Sequence, residues 1–387
     1  MAEPGNLAAR LLRLSPRHQN AAMNAPKTEA SAASPLDTAG AVRDENAFDP
    51  ALILPFLKSQ IPDLVDGSVE LRQFPGGASN LTYQLTIGGR EMILRRPPAG
   101  TKAKGAHDMG REFRVLQRLH PHFKCPKPLA YCEDTGLIGS DFYVMEKLAG
   151  IILRRDVPST LSYSPERARQ LCLNLIDTQI ALHELDYEAA GLADMGKPAG
   201  YVARQLSGWS ERWNKVLTDD IPSYDAIIAW LTANQPADSA RPGIIHNDYR
   251  YDNVVLSADD QLSVIGVLDW EMATLGDPLL DLGSSLAYWV EAGDPAEMQS
   301  IRMQPSNIPG MLSRAEIIDR YAEKTGREVR NADWYYVFGL FRLGVIAQQI
   351  YYRYKLGQSK NPKFAAFGLF VTVLAQVCER VINRAKV

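Results

Sequence analysis

Residues 244–256 gather the side chains best suited to chemistry. Two apolar runs enclose a polar loop that carries His246, Asp248 and, five residues after the acid, Asn253. A further acid, Asp269, comes 21 residues after Asp248, at the end of another apolar run. A carboxylate can orient a hydroxyl group and accept its proton. Carboxylate and amide oxygens are also the hard ligands that Mg²⁺ prefers. These residue types therefore suit transfer of a phosphoryl group, which depends on positioning and on neutralising phosphate charge.

The pattern His-x-Asp-x4-Asn, with Asp-Trp-Glu about 20 residues further on, resembles a known apparatus. It is similar to the catalytic loop of protein kinases and of the aminoglycoside phosphotransferase branch of that superfamily. The resemblance implies that Asp248 is the base, that Asn253 and Asp269 bind Mg²⁺, and that ATP is the donor. It assigns His246 to buttressing the loop. The alternative is a polar loop whose carboxylates only stabilise turns.

A glycine pair between two predicted strands is the second signal. Gly76 and Gly77 are followed by Ser79 and Asn80. Glycines let backbone N–H groups approach an anion closely, and the two polar side chains can add contacts. The family has its phosphate-covering loop at this place, so the resemblance implies nucleotide binding here. A plain turn is the alternative, and the chain has no Gly-x4-Gly-Lys-Ser/Thr motif.

The third signal is a basic residue on a strand with an acid on the following helix. Kinases use a strand lysine and a helix glutamate to hold the α- and β-phosphates. Here Glu112 occupies the helix, whereas the strand carries Arg95 in place of lysine. Arginine is always charged and can grip phosphate with two nitrogens, but its geometry differs. A surface salt bridge is the alternative interpretation.

Two further segments are interpreted by resemblance. The stretch around Glu146 and Leu148 ends a strand where the composition becomes helical, as a kinase hinge does, and the resemblance implies that their backbone groups bind adenine. In the Gly-Asp-Pro-Leu-Leu-Asp run, we interpret Asp277 and Asp281 as structural residues that cap a helix and steady the catalytic loop.

The elements that must position these residues fall into two parts. Leu81, Tyr83, Leu85 and Ile87 alternate with polar residues, which is strand spacing, and residues 106–120 have helical spacing. After Gly150 the pattern is mainly helical. With the resemblance, this predicts an α+β, two-lobed protein-kinase-like fold. We expect an N-lobe at 46–148, with an antiparallel sheet and one helix, and a larger helical C-lobe at 149–387.

The first 45 residues differ in composition, with no aromatic before Phe48. We predict a disordered tail over residues 1–45. Its Arg-rich start weakly resembles a transit peptide, which keeps a mitochondrial location as the alternative to a cytoplasmic one. Four Cys in 387 residues without Cys-x-x-Cys spacing favour a reducing compartment.

A net charge of −3 excludes a strongly basic nucleic-acid binder. We also predict no membrane span, because Arg342, Gln348 and Gln349 interrupt the most apolar stretch, residues 334–352. That stretch is expected to be a buried C-terminal helix. We find no sign of a nucleic-acid or membrane partner, and Arg96, Lys102 and Lys104 are interpreted as a solvated basic loop.

Four short segments narrow the resemblance to one branch of this family: residues 94–98, 182–186, 191–194 and 200–209. They look like the kinase-like domain fused to certain acyl-CoA dehydrogenases and its free-standing bacterial relatives. That implies ATP-dependent phosphorylation of the 4-hydroxyl of a 4-hydroxyacyl-CoA, with a dehydrogenase-like protein as a pathway partner.

The predicted helix 200–215 offers weak support for a CoA ester. Arg204, Arg212, Trp209 and Trp213 could meet CoA phosphates and adenine. An amphipathic helix with its tryptophans in the core is the plainer interpretation.

Two other functions remain open. One is a kinase of the same fold that acts on an aminoglycoside, choline or a sugar. The other is a nucleotide-binding pseudokinase that regulates a partner, although Asp248, Asn253 and Asp269 are all present.

Overall fold

An antiparallel sheet in the first part of the chain is followed by a mainly helical second part. A computed structural model describes residues 38–75, 80–98, 108–359 and 361–385. The strands are β1 Val69–Gln73, β2 Leu81–Ile87, β3 Arg90–Arg96, β4 Pro128–Cys132, β5 Phe142–Glu146, β6 Gly150–Ile151, β7 Gly243–Ile245, β8 Val254–Ser257, β9 Val264–Val267 and β10 Thr274–Gly276. The helices are α1 Leu54–Gln60, α2 Met109–Leu119, α3 Thr135–Ile138, α4 Pro165–His183, α5 Tyr201–Asn214, α6 Asp225–Ala233, α7 Pro278–Ala287, α8 Ala296–Ile301, α9 Arg314–Thr325, α10 Ala332–Lys355 and α11 Phe367–Ala385.

The first sheet has the strand order β1-β2-β3-β5-β4, with every neighbouring pair antiparallel. The apolar residues of β2 are buried in strict alternation, as their spacing predicts. Gly88 and Gly89, with φ of 55° and 82°, form the two-residue turn into β3. Such a turn needs positive φ at both positions, which glycine adopts without steric cost.

Strand β3 is covered on both faces, and this separates two adjacent arginines. Ile93 belongs to the core shared with α2 and the helical part, whereas Met92 and Leu94 belong to the core on the other face. Because side chains alternate along a strand, Arg95 lies on the α2 face and Arg96 on the opposite one.

The prediction that Arg96 belongs to a solvated basic loop was wrong. Its guanidinium is buried and donates to the Tyr83 hydroxyl and to the carbonyls of Asn46 and Ile138, at 3.2, 2.8 and 2.8 Å. It also lies over the rings of Phe48 and Tyr83. Arg96 thus holds the N-terminal segment against the sheet. Lys102 and Lys104 lie outside the described residues.

The predicted tail extends too far into the folded part. Residues 1–37 lie outside the described residues, but Ala39 is buried and Gly40 forms a two-way backbone bridge with Gln73 of β1. Residues 38–45 therefore pack on the sheet, because β1 is an edge strand with free backbone groups to pair.

The helical part is centred on α10, which packs against α5, α6, α7 and α11. It contains the stretch 334–352, which is a buried helix as predicted. The segment Pro362–Ala385, 24 residues long, is apolar enough to cross a membrane by length and composition. A core helix passes the same test, and Val371, Leu374 and Cys378 of this segment are buried in the core that also includes α10.

Candidate active site

Two short antiparallel pairings bring the two polar segments of the sequence together. Strand β8 begins directly after Asn253 and pairs with β9, which ends two residues before Asp269. The Leu268 N–H donates to the Asn253 carbonyl at 2.8 Å. At the other end β7 pairs with β10, joining the residue before His246 to Thr274. The loop 246–253 and the segment 268–273 therefore face each other as one unit.

Asp248 and Asn253 are held together by the amide of Asn253. Its nitrogen donates to the carboxylate and to the backbone carbonyl of Asp248, at 2.9 and 2.8 Å. The Asp248 side chain keeps 26% of its surface exposed. A carboxylate that is both oriented and accessible can act on an incoming hydroxyl group.

His246 lies behind this pair and is completely buried. Its Nε2–H donates to the Leu268 carbonyl at 2.8 Å, and its Nδ1 accepts from the Asp248 N–H at 3.2 Å. The ring packs edge-on against Trp270 at 4.9 Å. Since both nitrogens are occupied by backbone groups, His246 is a positioning residue that ties the loop to the opposite segment.

Asp281 of α7 anchors the start of the loop. Its carboxylate accepts from the N–H groups of His246 and Asn247, at 3.2 and 2.6 Å, and from Nε2 of His183 at 2.9 Å. Burial favours the protonated acid, but the hydrogen bond and charge of His183 and the Asn247 N–H outweigh it and lower the pKa of Asp281 to about 2. Asp277 caps α7 through the Leu279 N–H, so both acids have the structural roles we predicted.

Arg95 joins the sheet to the segment after β9. Its Nη1 donates to Glu112 at 2.5 Å and its Nη2 to Asp269 at 3.0 Å. Glu112 also accepts from the Trp270 N–H at 3.1 Å. The sequence-predicted residues Arg95, Glu112 and Asp269 thus form one ion cluster rather than a surface salt bridge, with Arg95 and Glu112 buried and the Asp269 side chain 34% exposed.

The phosphate-loop prediction can be followed only at its end. Gly76, Gly77 and Ser79 lie outside the described residues. Asn80 is buried, and its amide donates to the Glu271 carboxylate at 2.7 Å, which links the start of β2 to the segment after Asp269.

The predicted hinge lies where β5 leaves the sheet. The Glu146 N–H donates to the Lys127 carbonyl at 2.8 Å, so this donor is used within the fold. Leu148 packs on β9, where a Cβ on Gly266 would lie 2.1 Å from its Cδ1. The missing side chain of Gly266 therefore makes room for the segment that connects the two parts.

The residues present fit a magnesium ion that is shared with a nucleotide. Because the amide nitrogen of Asn253 is committed to Asp248, the amide oxygen is free to be a ligand, and Asp269 supplies a carboxylate nearby in the same unit. In the described ranges, no group of three or more His, Cys, Asp or Glu side chains could hold a metal by itself. Magnesium keeps oxygen ligands from substrate phosphates in such sites, so two protein ligands suffice.

The profile of a known family covers the sheet, the loop and most of the helical part. It is the APH family, described as the phosphotransferase enzyme family, and it matches residues 70–317. This chain belongs to that family.

Two curated relatives of this phosphotransferase are acyl-CoA dehydrogenase family members. Member 11 of Homo sapiens is 34% identical over 316 residues, which are 80% of this chain and 40% of the relative. Member 10 of Mus musculus is 31% identical over 339 residues, which are 87% of this chain and 31% of the relative. The chain thus spans less than half the length of these relatives.

Solved structures have the same fold. A Ralstonia eutropha protein, provisionally named an aminoglycoside phosphotransferase, matches with a TM-score of 0.73 and 28% identity, over 87% of this chain and 99% of that one. Choline kinase from Cryptosporidium parvum matches with a TM-score of 0.57 and 12% identity, over 87% and 97%. At that identity the likeness concerns the fold alone. The predicted protein-kinase-like fold is confirmed.

Sequence reasoning missed two cations of the phosphotransferase beside Asp248. The guanidinium of Arg250 lies 3.7 Å from the Asp248 carboxylate and over the ring of Tyr288 at 4.8 Å. Arg342 of α10 donates to the Asn247 carbonyl at 2.6 Å. In the sequence, Arg342 only interrupts an apolar run. A buried arginine in an otherwise apolar helix is the one signal that could have singled it out.

Proposed function

We propose that this phosphotransferase uses ATP and Mg²⁺ to phosphorylate a hydroxyl group of a small molecule, namely the 4-hydroxyl of a 4-hydroxyacyl-CoA. The observation that carries the proposal is the unit formed by Asp248, Asn253 and Asp269. It offers an oriented, accessible carboxylate beside two oxygen ligands for a metal. Proton acceptance and charge neutralisation are the two requirements of phosphoryl transfer to an alcohol.

In the proposed reaction, the acceptor hydroxyl oxygen attacks the γ-phosphorus of ATP. The bond from that phosphorus to the β–γ bridging oxygen breaks, ADP leaves, and the hydroxyl proton passes to Asp248. Mg²⁺, when bound, neutralises phosphate charge. Asn253 and Asp269 hold it, Arg95 binds the α- and β-phosphates, and Glu112 orients Arg95. The carbonyl of Glu146 and the N–H of Leu148 bind adenine, and Gly76, Gly77, Ser79 and Asn80 cover the phosphates.

Two observations favour an acyl-CoA acceptor over a polycation. Arg342, which has no acid partner among the described residues, places a positive charge beside Asn247, the residue before Asp248, and this disfavours cationic acceptors such as aminoglycosides and choline. The curated relatives carry the name acyl-CoA dehydrogenase, and more than half of their length lies beyond this match. We therefore also propose that a dehydrogenase-like protein acts on the phosphorylated product.

The test is ADP release from MgATP by the full chain with four acceptors: 4-hydroxyvaleryl-CoA, 3-hydroxybutyryl-CoA, kanamycin and choline. Asp248→Asn is the matched control, because it keeps the size of the side chain and removes the base. We expect turnover with 4-hydroxyvaleryl-CoA, and a loss of at least about 10³-fold in the variant with MgATP affinity nearly unchanged.

Each result of this panel has a distinct meaning. Turnover on kanamycin or choline alone would keep the mechanism and reject the CoA ester. Binding of MgATP without turnover on any acceptor would favour a pseudokinase. A loss of less than about tenfold in Asp248→Asn would show that another group is the base.

A further inference from the structure

Helices α5 and α10 place two cations on one aromatic ring beside the catalytic loop. The guanidinium carbon of Arg212 lies 4.7 Å from the ring centroid of Trp209, and that of Arg342 lies 5.1 Å from the same centroid. Arg212 is exposed, whereas Arg342 is 4% exposed. We call Arg212, Trp209 and Arg342 the cationic stack. It leads from the surface of α5 to the catalytic loop.

Neither cation of the stack is neutralised. Over residues 38–75, 80–98, 108–359 and 361–385, no carboxylate forms an ion pair with Arg212 or Arg342. Arg95 is paired with Glu112 and Asp269, and Arg314 with Asp294. The buried Arg96 has no acid partner among the described residues either, but its Nε, Nη1 and Nη2 all donate to oxygen atoms of the protein. Burying a charge whose donors are unused is costly, so a shielded guanidinium with unused donors indicates that a partner comes from outside the chain.

Arg342 has donors to offer such a partner. Its contacts with the Asn247 carbonyl and the Met272 sulfur both use Nη2. Within the part of the chain that the structure describes, Nε and Nη1 have no acceptor, and neither is among the buried atoms that lack one. A guanidinium carries five N–H donors in a planar fork, so Arg342, although only 4% exposed, has donors left for a ligand.

The stack lies beside the residue that precedes Asp248. Asn247, whose carbonyl binds Arg342, is the residue before Asp248. The hydroxyl of Tyr288 interacts electrostatically with both Asp248 and Arg342. Burial raises the pKa of this hydroxyl to about 12, the Asp248 carboxylate raises it further, and the charge of Arg342 lowers it. Met272, which contacts Arg342, is 39% exposed, so the surface beside this pair is open to a ligand.

We infer that the cationic stack is the acceptor-specificity element of the enzyme and binds an acyl oxygen, either a carboxylate or a thioester carbonyl. Arg342 donates to this oxygen, while Asp248 engages the hydroxyl a few bonds away on the same molecule. Arg212 attracts the acceptor from solvent, and both cations repel a positively charged one. The inference deepens the proposed function, since it names the group by which the acceptor is recognised.

A purely structural role for Arg342 makes a different prediction. Asn247 has a φ of 66°, which is strained for a residue with a Cβ, and Arg342 could serve only to hold it there. In that case replacement of Arg342 would disturb the whole loop, including nucleotide binding. An acceptor-binding role affects acceptor affinity and leaves nucleotide affinity unchanged.

The test is calorimetric binding of two probes that have no hydroxyl to phosphorylate, valerate and valeryl-CoA, to the full chain saturated with MgADP. The variants are Arg342→Gln, Arg342→Lys and Arg212→Gln. The matched control is Arg204→Gln, which lies on the same helix but whose guanidinium donates to the carbonyls of Lys197 and Ala199. MgADP affinity and melting temperature are measured for every variant.

We expect Arg342→Gln to weaken probe binding at least about tenfold, because hydrogen bonds to charged groups contribute most to affinity. Arg342→Lys should recover part of this loss. Arg212→Gln should weaken binding about threefold at low salt and less at high salt, since an exposed charge is screened. Arg204→Gln should bind as the wild type does.

Binding of valeryl-CoA alone would identify the thioester carbonyl as the group, and binding of both probes would include the carboxylate. Wild-type affinity in Arg342→Gln, a parallel loss of MgADP binding, or failure of the wild type to bind either probe would overturn the inference. If Arg342→Gln does not fold, equal affinities of Arg212→Gln and Arg204→Gln would overturn it. Because binding needs no turnover, this result is independent of the ADP-release test.

Discussion

Two shielded arginines flank the catalytic unit, and their surroundings are opposite. Arg95, 7% exposed, donates to two carboxylates, Glu112 and Asp269. Arg342, 4% exposed, donates to a backbone carbonyl and has no acid partner among the described residues. Arg95 thus has counter-charges within the fold, whereas Arg342 has none among the described residues. Under the proposed function, phosphate would therefore have to exchange with an internal partner of Arg95, whereas an acceptor oxygen would meet Arg342 directly.

Under the proposed function, Asp269 would interact with Arg95 and with the metal in turn. It is the only acid in this cluster that is assigned both to Arg95 and to the metal, and its own backbone has a positive φ of 66°. Glu112 would keep its contacts with Arg95 and the Trp270 N–H if Asp269 turned to the proposed metal. The guanidinium of Arg95 contacts Glu112 through Nη1 and Asp269 through Nη2. A lysine would present a single nitrogen to both acids.

The largest effect is expected from Asp269→Ala, which removes the acid that contacts Arg95 and is the proposed Mg²⁺ ligand. Turnover should fall at least about 10³-fold, and nucleotide binding should lose its dependence on Mg²⁺. Calorimetric titration of ATP with and without Mg²⁺ measures this. Asp259→Asn, an exposed acid in the turn after β8, is the control and should behave as the wild type. Unchanged MgATP affinity in Asp269→Ala would remove Asp269 from the metal site.

Arg95→Met should lower turnover about 10²-fold, because the proposed cation at the phosphates is lost and the buried Glu112 and the partly exposed Asp269 remain without it. The KM for ATP should rise while the KM for the acceptor stays the same. Arg95→Lys should recover about tenfold of the loss. Steady-state kinetics with each substrate varied in turn provides the measurement. A rise in the KM for the acceptor, in place of the KM for ATP, would contradict the assignment of Arg95 to the nucleotide and of Arg342 to the acceptor.

Asp281→Asn tests the contacts that fix Asn247. Asp281 accepts from the N–H of Asn247, whereas Arg342 donates to its carbonyl. A folded-state pKa of about 2 lies below the value of about 3.9 for an unfolded aspartate. The ionised acid therefore stabilises the fold above pH about 4, and this contribution disappears as the pH falls towards 2. We expect the variant to lose about 2 kcal/mol of unfolding free energy at pH 7. Denaturant unfolding at pH 7, 4 and 3 measures the gap; a gap independent of pH would contradict the prediction.

The smallest effect is expected from Glu112→Gln. With one acid removed, Arg95 interacts more strongly with Asp269 and competes better with Mg²⁺. The Mg²⁺ concentration for half-maximal turnover should rise about threefold, in the range usual for coupled neighbours. Glu91→Gln, an exposed strand acid paired with Lys147, is the control. A lower Mg²⁺ requirement in Glu112→Gln would mean that Glu112 and Asp269 do not share Arg95.

Local patterns were sufficient for most of the first sheet and for the catalytic loop. The alternation of β2 and the glycine turn after it depend on residues within about ten positions of each other, and both were predicted. The pairing of Arg95 with Glu112 needed the family pattern, because 17 residues separate them. The predicted tail, residues 1–45, was too long, because nothing in the neighbouring sequence indicates the backbone bridge from Gly40 to Gln73.

Charge environments could not be predicted from the sequence. Arg95 and Arg96 are adjacent, yet one faces the active site and the other anchors the N-terminal segment. Arg204 and Arg212 share a helix, yet one binds the loop before it and the other stacks on Trp209. In both pairs the decisive partner comes from a distant element or from the exact course of a loop.

The sequence by itself determined the residue types and spacing of the catalytic loop, the strand alternation and the family to which the chain belongs. These depend on short-range periodicity and on a motif whose members lie within about 25 residues. Only the tertiary structure decided which cations are neutralised. Arg342 reaches the carbonyl of a residue 95 positions away, because α10 packs through the centre of the helical part. Whether a charge has a partner depends on what packing brings within about 4 Å, and no local pattern encodes that distance.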